Sequence, residues 1–160
     1  MSNLRIFLEI AKASQARATE LYETARTPKP DGRPGYVIRY DPSSESFKQS
    51  LIAIAFAGIY LDALLYVEGG RRLGHDSFTA VERLTLEERV RALGAVDPEL
   101  LLACERFRNA RNDLVHEKAG PGAPPDRREW RRGQDEAEHA IAVIDLIHRF
   151  LAATDTSRSA

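Results

Sequence analysis

The sequence predicts an all-α protein, an up-and-down helical bundle of about four to five helices with a long Pro-rich loop after the first. Three observations carry this. Apolar residues recur at three- and four-residue spacing near both ends of the chain, at Leu4, Phe7, Leu8, Ala11, Ala18, Leu21 and Tyr22, and again at Ala137, Ala140, Ile141, Ile144, Ile147 and Leu151. Between them Leu51 to Val67 is apolar on all sides apart from Asp62, as expected of a helix at the centre of a bundle. Proline and glycine cluster between these segments, not inside them.

The elements follow in order. Leu4 to Ala25 forms the first amphipathic helix. Thr27 to Ser44 holds Pro28, Pro30, Pro34 and Pro42 with Gly32 and Gly35, which breaks any helix and leaves a long loop. Only Tyr36 to Tyr40 could run extended there. Asp41-Pro42-Ser43-Ser44-Glu45 offers capping side chains and an early acid, so the central helix starts here and runs to about Glu68, where Gly69-Gly70 ends it. Thr85 with Glu88 has capping-box spacing and starts a short helix fading near Gly94. Asp97-Pro98-Glu99 opens another that reaches at least Leu114, with Ala103, Phe107, Ala110 and Leu114 on its inner face. Gly120 to Pro125 breaks the chain again, and Asp126 with Glu129 starts the last helix. Residues 1–153 are expected to form one domain, and the small polar residues 154–160 a frayed tail.

Composition narrows the function. The chain has 160 residues, 43% hydrophobic and 29% charged, a globular mix far from that of disorder. A net charge of -1 gives no global attraction to nucleic acid or acidic lipid, so any anionic partner must meet a local cation cluster. Cys104, the single cysteine, excludes an internal disulfide and a thiolate zinc cage. The other ligand types are no better placed: His139 and His148 lack i, i+4 spacing and His75 sits in a Gly-rich turn, so no metal and no cofactor are expected. Met1 to Lys12 lacks the basic start and apolar run of a secretory signal, which makes the cytoplasm the expected compartment. Leu51 to Val67 approaches the length of a membrane span, but several alanines, Gly58 and Asp62 argue against one.

The chemistry concentrates in Glu105-Arg106-Phe107-Arg108-Asn109-Ala110-Arg111-Asn112-Asp113-Leu114-Val115-His116. Arginine and histidine separated by four to six residues occur twice, at Arg111 with His116 and at Arg132 with His139. About 1.4 such pairs arise by chance in this composition, but requiring Asn, Asp or His after the arginine cuts that to about 0.15. Only Arg111-Asn112 passes. This segment, preceded by an apolar alanine-rich helix, resembles the motif helix of the HEPN domain family, whose ribonucleases carry Arg-Asn-x-x-x-His.

The resemblance implies a metal-independent endoribonuclease, a toxin or defence effector, that works as a homodimer and leaves 2′,3′-cyclic phosphate and 5′-hydroxyl ends. Its catalytic residues would be Arg111, Asn112 and His116. The residue types suit that chemistry. An imidazole with an ordinary pKa of about 6.5 can move protons at neutral pH, a guanidinium can hold the extra charge of a pentacoordinate phosphate, and an amide can orient either. Asn112 and His116 lie four residues apart on one polar stripe with Glu105 and Arg108, whereas Arg111 sits at the edge of the apolar face, about 140° from His116 on a regular helix. That separation calls for a second copy of the chain or for a helix that ends before His116.

Arg108, Arg127, Arg128, Trp130 and Arg131 are the candidate RNA-binding residues, since they join guanidinium groups to an aromatic plane. Asp62, in its apolar surroundings, needs a cationic partner, and an arginine at the edge of the motif helix is the natural one. The alternative to an enzyme is a non-catalytic HEPN-like interaction module binding a nucleotidyltransferase or another protein partner through its apolar helix, whereas a toxin would have an antitoxin or a nucleotidyltransferase as partner. In toxins silenced by nucleotide transfer the family pattern has a tyrosine two residues after the histidine, where this chain has Lys118.

Overall fold

The computed structural model describes residues 3–39, 43–115 and 127–158. Its elements are α1 (Asn3–Thr24), β1 (Arg26–Pro28), β2 (Tyr36–Ile38), α2 (Glu45–Leu73), α3 (His75–Val81), α4 (Leu86–Ala92), α5 (Pro98–Val115) and α6 (Arg127–Arg158). The protein is all-α, with six helices packed together among the described residues and a small two-strand hairpin after the first.

Helix α2 is the hub. Its Ala53, Ile54, Ala57, Leu61 and Leu65 are completely or almost completely buried, under α1 on one side and α5 and α6 on the other. By length and composition α2 is apolar enough to cross a membrane, and those buried positions are what its composition serves here. Cross-links fix the directions of the helices. Phe7 meets Phe56 and the Ser46 hydroxyl donates to the Ala18 carbonyl, so α1 runs antiparallel to α2. Arg106 pairs with Glu136 and Arg132 with Asp113, so α5 runs antiparallel to α6.

Six helices replace the expected four to five. Gly69-Gly70 does not end α2, because Gly69 is a packing position: a Cβ there would lie 2.0 Å from the Phe78 ring. The ring can settle there because α3, absent from the sequence reading, brings Phe78 back onto α2. The turn lies at Gly74, with φ of 80°, and His75 begins α3. Ser44 precedes α2 with φ of 53° and no side-chain capping bond, while Asp41 and Pro42 lie outside the described residues. The starts of α4 and α5 agree with the sequence, while Asp126, the expected cap of α6, lies outside the described residues. Glu88 accepts from both the Thr85 amide (2.9 Å) and hydroxyl (2.7 Å), and Asp97 accepts from the Glu99 amide at 3.0 Å.

The proline-rich segment is a hairpin, not a structureless loop. Arg26 pairs with Ile38, Thr27 with Val37 and Pro28 with Tyr36. Its turn uses Gly32 and Gly35 at positive φ, 72° and 117°, where other residues are strained. At the other end of the chain, α6 continues past residue 153 to Arg158. Arg72, its side chain 1% exposed, donates to the Leu151 carbonyl and the Thr154 hydroxyl and pairs with Asp155. The predicted inner stripe of α6 is buried apart from Ile141, which is half-buried, and Val143 joins it.

Candidate functional site

Arg111 leaves α5 at the edge of its buried face, as the helical spacing predicts, and its side chain lies against α2. The contact requires a glycine: a Cβ at Gly58 would stand 2.6 Å from Arg111 Nε and 2.7 Å from its guanidinium carbon. One turn further along α2, Asp62 accepts from Arg111 Nη1 at 3.3 Å. The same carboxylate accepts from Arg89 Nη2 of α4 at 2.5 Å. Asp62 therefore joins three helices, and the arginine partner expected from its apolar setting is present.

These residues line a cleft of about 180 Å³ with Leu84, Thr85 and Asn112 along its walls. Asn112 is exposed at the rim. The Nε atoms of Arg89 and Arg111 are buried, and among the described residues neither has a hydrogen-bond partner. Two guanidinium groups thus share one carboxylate here.

Arg108, on the same cleft, is matched by its own acid. Glu87 holds it at 3.0 to 3.1 Å. Burial pushes the Glu87 carboxyl up, but hydrogen bonds from Arg108, its own backbone amide and Thr85 outweigh that and keep its pKa below the usual value. The residues lining the cleft include three guanidinium groups and one carboxylate, Asp62, with Glu87 and Glu88 at its edge. Behind it Cys104 is fully buried, its thiol pushed up to about 12 by desolvation and then by the Glu87 charge.

The other predicted residues divide into two groups. His116 lies outside the described residues, one position beyond the end of α5. Arg127, Arg128 and Trp130 fall in the first turn of α6, and their side chains are outside the described set. Arg131 is exposed near the Arg132–Asp113 pair, at the end of the bundle that α5 reaches with Val115. Ala53, Ala57 and Gly58, small residues that could admit a second copy against α2, are buried within the chain itself. The exposed apolar residues of α2 are Ile52 (36%), Ile59 (38%), Tyr66 (45%) and Val67 (54%), and the first three repeat every seven residues along one stripe.

Sequence reasoning missed Arg89, Glu87 and the role of Gly58. A lone glycine inside an apolar helix signals a close approach, but its partner lies 53 positions away and has no local signature. Among the described residues no group of three or more His, Cys, Asp or Glu side chains is placed to share a cation. No protein family, curated protein or solved structure matches this chain.

Proposed function

We propose that this protein is a metal-independent endoribonuclease of the HEPN type, acting on RNA in the cytoplasm as a homodimer, in the setting of a toxin or defence effector. The observation that carries the reading is Arg111, held against Gly58 and fixed by Asp62 in an open cleft with Asn112 on its rim, five residues before His116. A guanidinium fixed in advance pays little reorganisation when charge develops on a phosphate, which is the condition for strong transition-state stabilisation. Three guanidinium groups and one carboxylate line the cleft, and a scissile phosphate would be a further anion for Arg111.

In the proposed reaction the 2′-hydroxyl of RNA attacks the adjacent phosphorus and the bond to the 5′-oxygen of the next nucleotide breaks. His116 takes the proton from the attacking hydroxyl or delivers one to the leaving oxygen. Arg111 holds the non-bridging oxygens, and Asn112 orients the histidine or a phosphate oxygen. A second copy brings its own Arg111 and His116 to the shared site, docking on the Ile52, Ile59, Tyr66 stripe beside Asp62. Arg108, Arg127, Arg128, Trp130 and Arg131 would then hold the flanking strand.

The test is cleavage of total RNA, with the cut ends mapped. Wild-type protein should yield cyclic phosphate and 5′-hydroxyl ends and remain active with a strong chelator. Arg111→Ala and His116→Ala should each be inactive with helical content near that of wild type. Retained cleavage in both variants ends the assignment.

One observation favours a second reading. The Asp62 carboxylate already occupies Arg111 and Arg89, as a purely structural ion pair would, and the apolar stripe beside it fits a partner helix. In that reading the protein is a non-catalytic module that binds a nucleotidyltransferase or another protein partner. It predicts no RNA cleavage by the wild-type protein and a stable complex lost on charging the stripe, as in Ile59→Glu.

A further inference from the structure

The β1–β2 hairpin carries a second concentration of cations, beside that of residues 127–132. Residues 26–39 contain Arg26, Lys29, Arg33 and Arg39 against the single acid Asp31, in a protein of net charge -1. Lys29, Arg33 and Arg39 are exposed. Arg26 is not: its guanidinium is stacked between two tyrosines, 4.8 Å from the centre of the Tyr22 ring and 4.9 Å from that of Tyr36. Its Nε is buried without a hydrogen-bond partner among the described residues, so the stacking holds it, together with the ion pair to Glu23 at 2.8 Å.

The register explains the stack. Arg26 and Tyr36 lie diagonally on one face of the two strands, within reach of each other's long side chains. The stack holds the Tyr36 ring from one side and leaves the residue 58% exposed, so an exposed aromatic ring sits on a hairpin that also carries the exposed cations Lys29, Arg39 and Arg33, the last beside Asp31 at 3.6 Å. The turn behind it is stiff, with Pro30 and Pro34 and with Lys29 covering Gly35, where a Cβ would meet its chain at 3.3 Å. An aromatic ring beside a row of cations is how proteins bind single-stranded nucleic acid: bases stack on the ring, and cations follow the phosphates.

We propose that this hairpin is a second RNA-binding surface, with Tyr36 as a base-stacking platform and Lys29, Arg33 and Arg39 as phosphate contacts. The proposal rests on the reading of the protein as one that acts on RNA. Its position suits a strand already engaged at the motif helix. Thr19, near the end of α1, accepts from Gln134 of α6 at 2.6 Å, and Asp113, near the end of α5, pairs with Arg132 of α6. The hairpin and the C-terminal end of α5 therefore share one end of the bundle, on either side of the first turns of α6.

The experiment uses a fluorescein-labelled single strand of about 12 nucleotides with 2′-O-methyl sugars, which lacks the attacking hydroxyl and stays intact during an anisotropy titration. Tyr36→Leu, which keeps apolar bulk but removes the ring, should weaken binding about tenfold, and Tyr36→Phe should bind as wild type. Arg33→Gln with Arg39→Gln should reduce the slope of log affinity against log salt by about 1.4, two phosphate contacts on a single strand. Equal binding by wild type and Tyr36→Leu overturns the proposal, as does absence of wild-type binding. Tyr36-dependent binding to phosphatidylserine vesicles without binding to the oligonucleotide overturns it in favour of a membrane surface. Cleavage of total RNA by wild-type protein is read separately, so the hairpin and the catalytic reading fail independently.

Discussion

Gly58 is the seat of Arg111: the absence of a side chain on α2 lets a guanidinium from α5 lie where a Cβ would come within 2.6 Å. Gly58→Ala therefore separates stability from activity. Alanine raises helix propensity by about 1 kcal/mol, which offsets the crowding, since the flexible arginine can move aside. Chemical denaturation should give a stability within about 1 kcal/mol of wild type. RNA cleavage should fall about a hundredfold, because the moved guanidinium no longer meets the phosphate. A large loss of stability with activity intact would show that the seat serves packing alone.

Asp62→Asn removes the charge shared by Arg89 and Arg111. The carboxylate is 44% exposed, so water screens the pair, and the expected loss is about 1 kcal/mol. The difference between variant and wild type should shrink as salt is raised, which denaturant midpoints at two ionic strengths will measure.

Gly69→Ala is the contrasting glycine. The clash is with the Phe78 ring at 2.0 to 2.1 Å, and that ring is buried with no flexible end to swing away. A loss of about 3 kcal/mol or more is expected in denaturation, with α3 displaced from α2. Gly69→Ala combined with Phe78→Ala should recover part of it if the clash is the cause.

His148 makes the protein sensitive to mild acid. It shares a 2.6 Å hydrogen bond with the Tyr60 hydroxyl, and burial lowers its pKa from 6.5, opposed by Asp145 and aided by Lys12. The unfolded chain then takes up a proton at a higher pH than the folded one. Stability from this site is full above about 6.5 and declines as pH falls through the folded value. Denaturation midpoints between about pH 7 and pH 5 should fall more steeply for wild type than for His148→Gln.

Cys104 should be inert in the folded protein, since its thiol is buried and pushed up to about 12. Labelling by a maleimide should follow global unfolding, with a rate that rises with denaturant along the unfolding curve. Rapid labelling in native buffer would contradict that burial.

Local chemistry was readable and long-range contact was not. The capping box at Thr85 and Glu88, the Asp97 cap and the inner stripe of α6 follow from spacing within a few residues. Asp62 announced its need for a cation because a lone acid in an apolar helix has few ways to be stable. Arg89 answered part of that need from a short helix whose own pattern gives no hint of it. Gly69 beside Gly70 reads as a helix stop and Gly58 as a bare close approach, and only the partner ring or guanidinium shows what packs on each. The hairpin was hidden for another reason: its strands are three residues each, too short for alternation to stand out among prolines.

The burial of Arg72 reverses the usual order of loosening along a chain. A C-terminal helix ordinarily loses its last turns first, because its final carbonyls lack partners. Here Arg72 donates to the Leu151 carbonyl and binds Thr154 and Asp155, tying α6 two turns before its end to the last turn of the central helix. Amide hydrogens of residues 151–155 should then exchange with solvent only in the larger openings that detach α6 from α2, and more slowly than those in the exposed helix α3. Exchange at the end of the chain would thus report on its centre.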